Sequence, residues 1–193
     1  MRLCDKDIKI WLNKKKLIIT PYPKNEVING VTLDLHLGNK FRIFYDHIIS
    51  CIDLTNSQKK IDLDLKNSMS EEEIFSKEKP FFLKPGSLAL FSTLESITLP
   101  DNLVGWLDGR SSLARLGLMI HVTSHRIDPG WNGNIVLEIF NAGSLVLVLS
   151  PGIKIAALSF ELLSQSVRHP YNSRYEAKYK IQKGVVPSRI YKE

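Results

Sequence analysis

Closely spaced turn signals constrain this chain more than any other feature. Pro85-Gly86, Asp128-Pro129-Gly130, Asn141-Ala142-Gly143 and Pro151-Gly152 cut the sequence into short apolar runs, and such signals punctuate a chain rather than extend its elements. The segment Val31-Thr32-Leu33-Asp34-Leu35-His36-Leu37 alternates apolar and polar residues, the period of a half-buried strand. Further β-like runs cover Phe41–Tyr45, Ile48–Leu54, Ile61–Leu65, Leu88–Leu94, Leu103–Leu107, Leu118–Val122, Asn134–Phe140, Leu145–Leu149 and Ile153–Leu158. Many short strands at this spacing predict an all-β sandwich or distorted barrel with a few short helices. One of those helices opens the chain: Asp5 is a candidate N-cap, Ile8, Trp11 and Leu12 fall at i, i+3 and i+4, and Lys14 to Lys16 suit its C-terminal end. Residues 55–79, polar and carrying Glu71-Glu72-Glu73, read as the least regular stretch.

The 193 residues form one domain at about 150 residues per domain, long enough to bury a core without disulfide or metal staples. Cys4 and Cys51 are too few for a disulfide framework and read as small buried hydrophobes. The N-terminal segment lacks the apolar stretch of a signal peptide, and no run approaches the roughly 18 apolar residues of a membrane span. A cytoplasmic protein is therefore expected. The net charge of +6 is uneven: residues 1–24 and 165–193 each carry +5, and residues 25–164 carry −4. Basic ends beside a slightly acidic middle can hold a compact polyanion such as a triphosphate and do not form the basic stripe of a duplex reader, so no nucleic-acid partner is expected. The tail, Tyr171 to Glu193, is polar and basic, an arm that needs a ligand or a neighbouring subunit to order it.

Several catalytic kits are missing. The chain has no Gly-x-x-x-x-Gly-Lys-Ser/Thr loop, no Gly-x-Gly-x-x-Gly fingerprint and no Gly-x-Ser-x-Gly elbow. His121 and His125 have the i, i+4 spacing of a helical metal site, but they fall in a strand-like region, where that spacing separates side chains too far to clamp one ion. They read as structural or hydrogen-bonding histidines, and no protein-bound metal is expected.

Three stretches offer chemistry. Gly109-Arg110-Ser111-Ser112-Leu113-Ala114-Arg115-Leu116-Gly117 follows a strand; Ser111 or Ser112 is placed to cap a short helix, and Arg110 and Arg115 carry forked donors that match phosphate oxygens. A capped surface helix with two solvated arginines accounts for the same spacing. Arg126-Ile127-Asp128-Pro129-Gly130-Trp131 reads as a hairpin turn in which Asp128 is placed to accept from a sugar hydroxyl and Trp131 to pack a ribose, although Asp-Pro-Gly also serves ordinary turns. Glu138 lies within Ile135-Val136-Leu137-Glu138-Ile139-Phe140, apolar on both faces and so expected to be buried on both sides. Desolvation there raises a carboxyl pKa and makes a proton carrier usable near neutral pH; a structural ion pair with Arg115 or Arg126 is the other role open to it.

These stretches, from Gly105-Trp106-Leu107-Asp108-Gly109 through His121-Val122-Thr123-Ser124-His125 to Val136-Leu137-Glu138, resemble the bacterial dCTP deaminases. The resemblance runs from Met1-Arg2-Leu3-Cys4-Asp5 to Lys178-Tyr179-Lys180-Ile181-Gln182-Lys183-Gly184. The Gly-Arg-Ser-Ser-Leu-Ala segment and the Asp-Pro-Gly turn are shared with trimeric dUTPases, while Glu138 and the tail point to the deaminase branch. The resemblance implies a mainly β, dUTPase-like distorted barrel or jelly roll (a β-clip) formed by a single domain over residues 1–193. It further implies a homotrimer with active sites between subunits, residues 171–193 being an arm that closes over the nucleotide. The implied reaction is dCTP and water giving dUTP and ammonia, which feeds dUMP and thymidylate synthesis. No zinc takes part, in contrast to the zinc nucleobase deaminases, and magnesium rides on the triphosphate.

By the same resemblance Glu138, Ser111 and Arg115 are catalytic. Substrate contacts fall to Arg110, Ser111, Ser112, Leu113, Ala114 and Arg115 for phosphate, Asp128 and Trp131 for the deoxyribose, Val136, Leu137 and Glu138 for the base, and Tyr171, Lys178 and Gln182 from the tail. Ser124 departs from the family, which usually has alanine there, near the attacking water. The shared phosphate segment also leaves open a dUTP pyrophosphatase or a bifunctional dCTP-to-dUMP enzyme.

Overall fold

The structure is a computed structural model that describes residues 1–45 and 48–192. The chain runs through α1 (Asp5–Asn13), β1 (Ile18–Thr20), β2 (Ile28–Asn29), β3 (Thr32–Ile43), α2 (Gln58–Ser68), β4 (Glu73–Ile74), β5 (Phe81–Leu83) and β6 (Leu88–Thr98). It continues through β7 (Leu103–Gly109), α3 (Ser111–Ala114), β8 (Leu118–Met119), β9 (Arg126–Ile127), β10 (Asn132–Asn141), β11 (Leu147–Leu149) and β12 (Lys154–Leu162). Among the described residues, ten strands join in one antiparallel sheet along the path β8-β10-β6-β3-β12-β7-β9, with β1 on β6 and β2 and β4 on β3, while β5 and β11 pair separately. The expected mainly β architecture with a few short helices is what the chain adopts.

Strand β3 gives the sheet its curl. Its first half pairs with β12 over Thr32–His36, and its second half pairs with β6 from Leu37 onward, with a register shift between Leu37 and Phe41. Gly38 sits at the changeover, where an added Cβ would lie 2.7 Å from the Ser92 carbonyl oxygen. Only glycine lets the two backbones approach this closely. The two predicted runs Val31–Leu37 and Phe41–Tyr45 are thus one bent strand. Inside the curl, Phe41, Phe75, Phe81 and Phe91 cluster, most pairs edge to face, with Phe41–Phe81 and Phe81–Phe91 centroids 4.8 and 5.1 Å apart, a favourable geometry for aromatic rings.

Local readings need correcting in several places. Ile61–Leu65, expected as a strand, lies in helix α2, and the stretch 55–79 is accordingly less irregular than expected. Ile61-Asp62-Leu63-Asp64-Leu65 alternates, but Ser57 caps the helix by accepting from the Lys60 amide, and Lys60–Asp64 and Lys66–Asp62 form i, i+4 pairs. Leu63 is left 52% exposed. Residues 48–54, expected as a strand, contain none. The N-cap of α1 is Cys4, whose amide and thiol both meet the Asp7 carboxylate, so Asp5 is the first helical residue. Cys51 is exposed and Cys4 only half-buried, so neither is the buried hydrophobe expected. The Asp128-Pro129-Gly130 turn is not a hairpin turn: β9 before it pairs with β7, and β10 after it pairs with β6 and β8. No helix among the described residues is long and apolar enough to cross a membrane.

The C-terminal arm lies along its own chain, where the sequence led us to expect ordering by a ligand or a neighbour. The Tyr171 amide donates to the Pro129 carbonyl at 2.7 Å. Buried Gln182 exchanges backbone bonds with Asn132 and Asn134, and its side-chain amide donates to the Asn134 carbonyl at 2.9 Å.

Candidate active site

Strand β10 presents two unlike faces. Ile135, Leu137 and Ile139 are buried, while Asn134, Val136, Glu138 and Phe140 alternate with them and are half-buried. The expectation of burial on both sides therefore holds for one side only in the single chain. The half-buried face is the one that carries the acid. Glu138 faces Leu90 across the β6–β10 pair. Burial pushes its carboxyl pKa up, and the backbone N–H groups of Val122 and of Glu138 itself pull it back only in part. No ion pair reaches it among the described residues, so the structural pairing with Arg115 or Arg126 is not made: Arg126 Nε donates to Asp128 at 2.8 Å instead. The result is a desolvated acid with no cationic partner, at the edge of a loop.

That loop, between β8 and β9, carries exposed Ser124 and the two histidines. The His121 and His125 rings stack with centroids 5.5 Å apart, and His125 lies 5.4 Å from Trp106. Burial first, then the neighbouring His125, lowers the His121 pKa, which keeps its ring neutral near pH 7. Its Nδ1 is buried with no hydrogen-bond partner, so of the two roles expected, structural or hydrogen-bonding, His121 takes the structural one, as a packing ring. Among the described residues no cluster of three His, Cys, Asp or Glu side chains is placed to hold a metal ion.

The phosphate-binding candidates sit on α3. The N-cap is Arg110, with no side-chain capping bond, so Ser111 and Ser112 are helical residues rather than caps. Ser111, Ser112, Ala114 and Arg115 are exposed, and Leu113 packs against the main core. Arg110 donates to Asp34, a buried carboxylate that also takes Lys154 Nζ at 3.0 Å and Asn29 Nδ2 at 3.4 Å. The sequence reading missed Asp34 and Lys154, because the buried carboxylate looked like the polar phase of an alternating strand. No hydrogen bond or ion pair among the described residues joins Ser111, Ser112 or Arg115 to Glu138. Asp34→Asn should cost about 1–2 kcal/mol, given half-exposed partners. A lowered urea midpoint checks this, with Lys154→Ala as the comparison.

The sugar-binding candidates meet the arm. Asp128 accepts from Arg126 and from Arg174 of the arm. Burial raises its pKa, but the two arginines outweigh this and hold it below the usual carboxylate range. Trp131 is 9% exposed, donates its indole N–H to the Gly133 carbonyl, and lies under the Tyr171 ring at 5.3 Å. Tyr171 in turn carries Arg174 over its face and accepts from the Tyr179 amide. Lys178 lies between Tyr171 and Gln182, its carbonyl accepting from Arg189. In one chain Asp128, Trp131, Tyr171 and Gln182 meet where the arm crosses the start of β10, Val136 and Glu138 lie farther along the half-buried face of that strand, Leu137 points into the core, and α3 is exposed.

The sequence model of the dCTP deaminase-like family matches residues 2–163. A dCTP deaminase of Buchnera aphidicola subsp. Schizaphis graminum is 76% identical over 193 residues, the whole of both chains. A dCTP deaminase of Pectobacterium atrosepticum is 58% identical over the same full length of both. Among solved structures, 2'-deoxycytidine 5'-triphosphate deaminase from Agrobacterium tumefaciens superposes with a TM-score of 0.62 at 20% identity, over 83% of this chain and 46% of that one. This chain therefore spans about half the length of that structural neighbour and shares its fold. The family match over residues 2–163 and the full-length likeness to named deaminases settle the kinship: the chain belongs to the dCTP deaminase-like family.

Proposed function

We propose that the chain is a cytoplasmic enzyme that hydrolyses dCTP to dUTP and ammonia, with Glu138 as the proton carrier. The observation that carries this reading is the Glu138 carboxyl, raised by burial and without a cationic partner among the described residues. In this reading a water oxygen attacks C4 of cytosine as Glu138 accepts one of its protons. The tetrahedral carbon then expels the amine as ammonia while Glu138 returns its proton to the leaving nitrogen, and the second water proton passes from the new C4 hydroxyl to N3, giving the C4 carbonyl and N3–H of uracil, so the acid ends as it began. Backbone groups of Val136 to Glu138 hold the base edge, Asp128 the sugar hydroxyl, and Trp131 backed by Tyr171 the wall against the deoxyribose. Ser124 adds a hydroxyl to the loop whose Val122 amide approaches the acid.

The exposed α3 supports a homotrimer in which Arg110 to Arg115 of one subunit face Glu138 of another, because one chain alone does not bring them together. Arg110 and Arg115 bind the triphosphate. Magnesium, held by the phosphate oxygens, neutralises part of their charge; zinc has no role, and the attacking water depends on the carboxylate.

Chromatography after separate incubation with dCTP and dUTP tests the reading. The expected result is dUTP and ammonia from dCTP and no pyrophosphate from dUTP. Pyrophosphate from dUTP would replace it with a bifunctional or pyrophosphatase function, and unchanged dCTP would reject it.

A further inference from the structure

We propose that Lys40, Arg42 and Glu72 form a clamp that closes on the backbone of Val185 and holds the far end of the C-terminal arm over the Glu138 face, making them positioning residues for nucleotide binding. This inference rests on the reading of that face as the cytosine site. Lys40 and Arg42 are two residues apart on β3 and so project on one side of it. Lys40 Nζ donates to Glu72 Oε1 at 2.6 Å, and the other oxygen, Oε2, accepts the Val185 amide at 2.7 Å. Arg42 Nε donates to the Val185 carbonyl at 2.8 Å, while its Nη1 donates to the Ser70 carbonyl at 2.7 Å. Both backbone polar groups of one arm residue are thus held by charged side chains from outside the arm.

The side chain of Val185 is held as firmly. It is 2% exposed and packs with Met69 and Leu90, with Val136 against the same cluster. Leu90 is the cross-strand partner of Glu138, and Val136 stands two residues before Glu138 on the same face. The clamp therefore fixes the arm beside the acid. Gly184 is part of the device: its φ is +67°, and an added Cβ would lie 2.1 Å from Glu72 Oε2. A side chain there would be strained and would collide with the clamp.

The clamp matters because the arm is tied at both ends of the stretch that follows Tyr171, with Gln182 bonded to β10 between them. Near its start, Tyr171 and Arg174 are tied to Pro129 and Asp128. Near its end, Val185 is tied to Glu72 and Arg42. Lys178 and Gln182, which the resemblance assigns to the nucleotide, lie between the two. With both anchors made, the intervening stretch is ordered before substrate arrives. With the far anchor cut, only the Gln182 bonds hold that half of the arm, and nucleotide binding must supply part of the ordering entropy, which weakens affinity. The proton transfer itself is untouched once the arm is down.

Glu72→Ala, Glu72→Gln and Gly184→Ala test this through dCTP kinetics and trypsin cleavage at exposed Lys180 and Lys183. Glu72→Ala and Gly184→Ala should raise KM for dCTP by about tenfold or more, leave kcat within about twofold, and speed tail cleavage by about tenfold. Glu72→Gln should fall between them and the parent, because its amide oxygen can still accept the Val185 N–H while the charge toward Lys40 is lost. Unchanged cleavage, or faster cleavage with unchanged KM, would overturn the proposal, as would losses of kcat in step with a lowered melting temperature. Were the parent enzyme itself inactive on dCTP, the deaminase reading would fall, and the cleavage rates would still decide whether the clamp holds the arm.

Discussion

Glu138→Gln should lower dCTP turnover by about a thousandfold while dCTP binding stays close to that of the parent. Glutamine keeps the shape of the side chain and one acceptor oxygen toward the Val122 amide, but it cannot take a proton from water. The contacts to phosphate and sugar come from other residues and are unaffected. The sign of the pH dependence follows from the direction of the shift. Burial raises the Glu138 pKa above its ordinary 4.5, so kcat/KM should fall as pH drops through the raised value and the base becomes protonated. Stability moves oppositely. A carboxyl whose folded pKa is raised favours the folded state below its unfolded pKa, and that advantage is lost as pH rises through the folded value. At neutral pH the ionised, partly desolvated carboxylate is a cost, so the neutral glutamine should leave the melting temperature unchanged or higher. Ammonia release, calorimetric dCTP binding and thermal melts at pH 7 check the three parts. A variant that kept turnover, or one that lost binding along with it, would contradict the role given to Glu138.

How far the fold was legible depends on whether local pattern and tertiary burial agreed. Along β10 they did: Ile135, Leu137 and Ile139 are apolar because they face the core, and the acid interrupting the opposite face stood out. At Ile61-Asp62-Leu63-Asp64-Leu65 they did not. A period of two is met as well as a helical i, i+4 pairing of Ile61 with Leu65, and only the Ser57 cap and the flanking lysines distinguish the two. The helical partners of those lysines, Asp62 and Asp64, are the residues that made the alternation look like a strand. The candidate site was legible where chemistry is local, as in the Glu138 strand and the arginines that flank α3. It was not legible where partners are far apart in sequence. Glu72 meets Val185 across 113 positions and Arg110 meets Asp34 across 76. An acidic triplet in a polar stretch carries no sign that one of its members holds an arm from the other end of the chain.

Phe91→Ala should be the most damaging substitution that leaves the chemistry in place. Phe91 is fully buried and its ring meets those of Phe41, Phe75 and Phe81. Truncating such a ring costs about 3–5 kcal/mol in lost burial and residual cavity, or about 10 °C of melting temperature for a chain of this size. The ring lies on the other side of β6 from the acid. Leu90 pairs with Glu138 and packs with Val185, whereas its neighbour Phe91 pairs with Leu137 and points into the aromatic core. The cavity therefore opens beneath β10, not beside the carboxyl. At 15 °C, where the variant is still folded, kcat should remain within about threefold of the parent, because the backbone pairing that holds Glu138 is kept. Thermal melts and low-temperature kinetics measure the two quantities separately. A collapse of kcat in fully folded variant would mean that the aromatic core sets the position of the acid, and that the two faces of this strand are not independent.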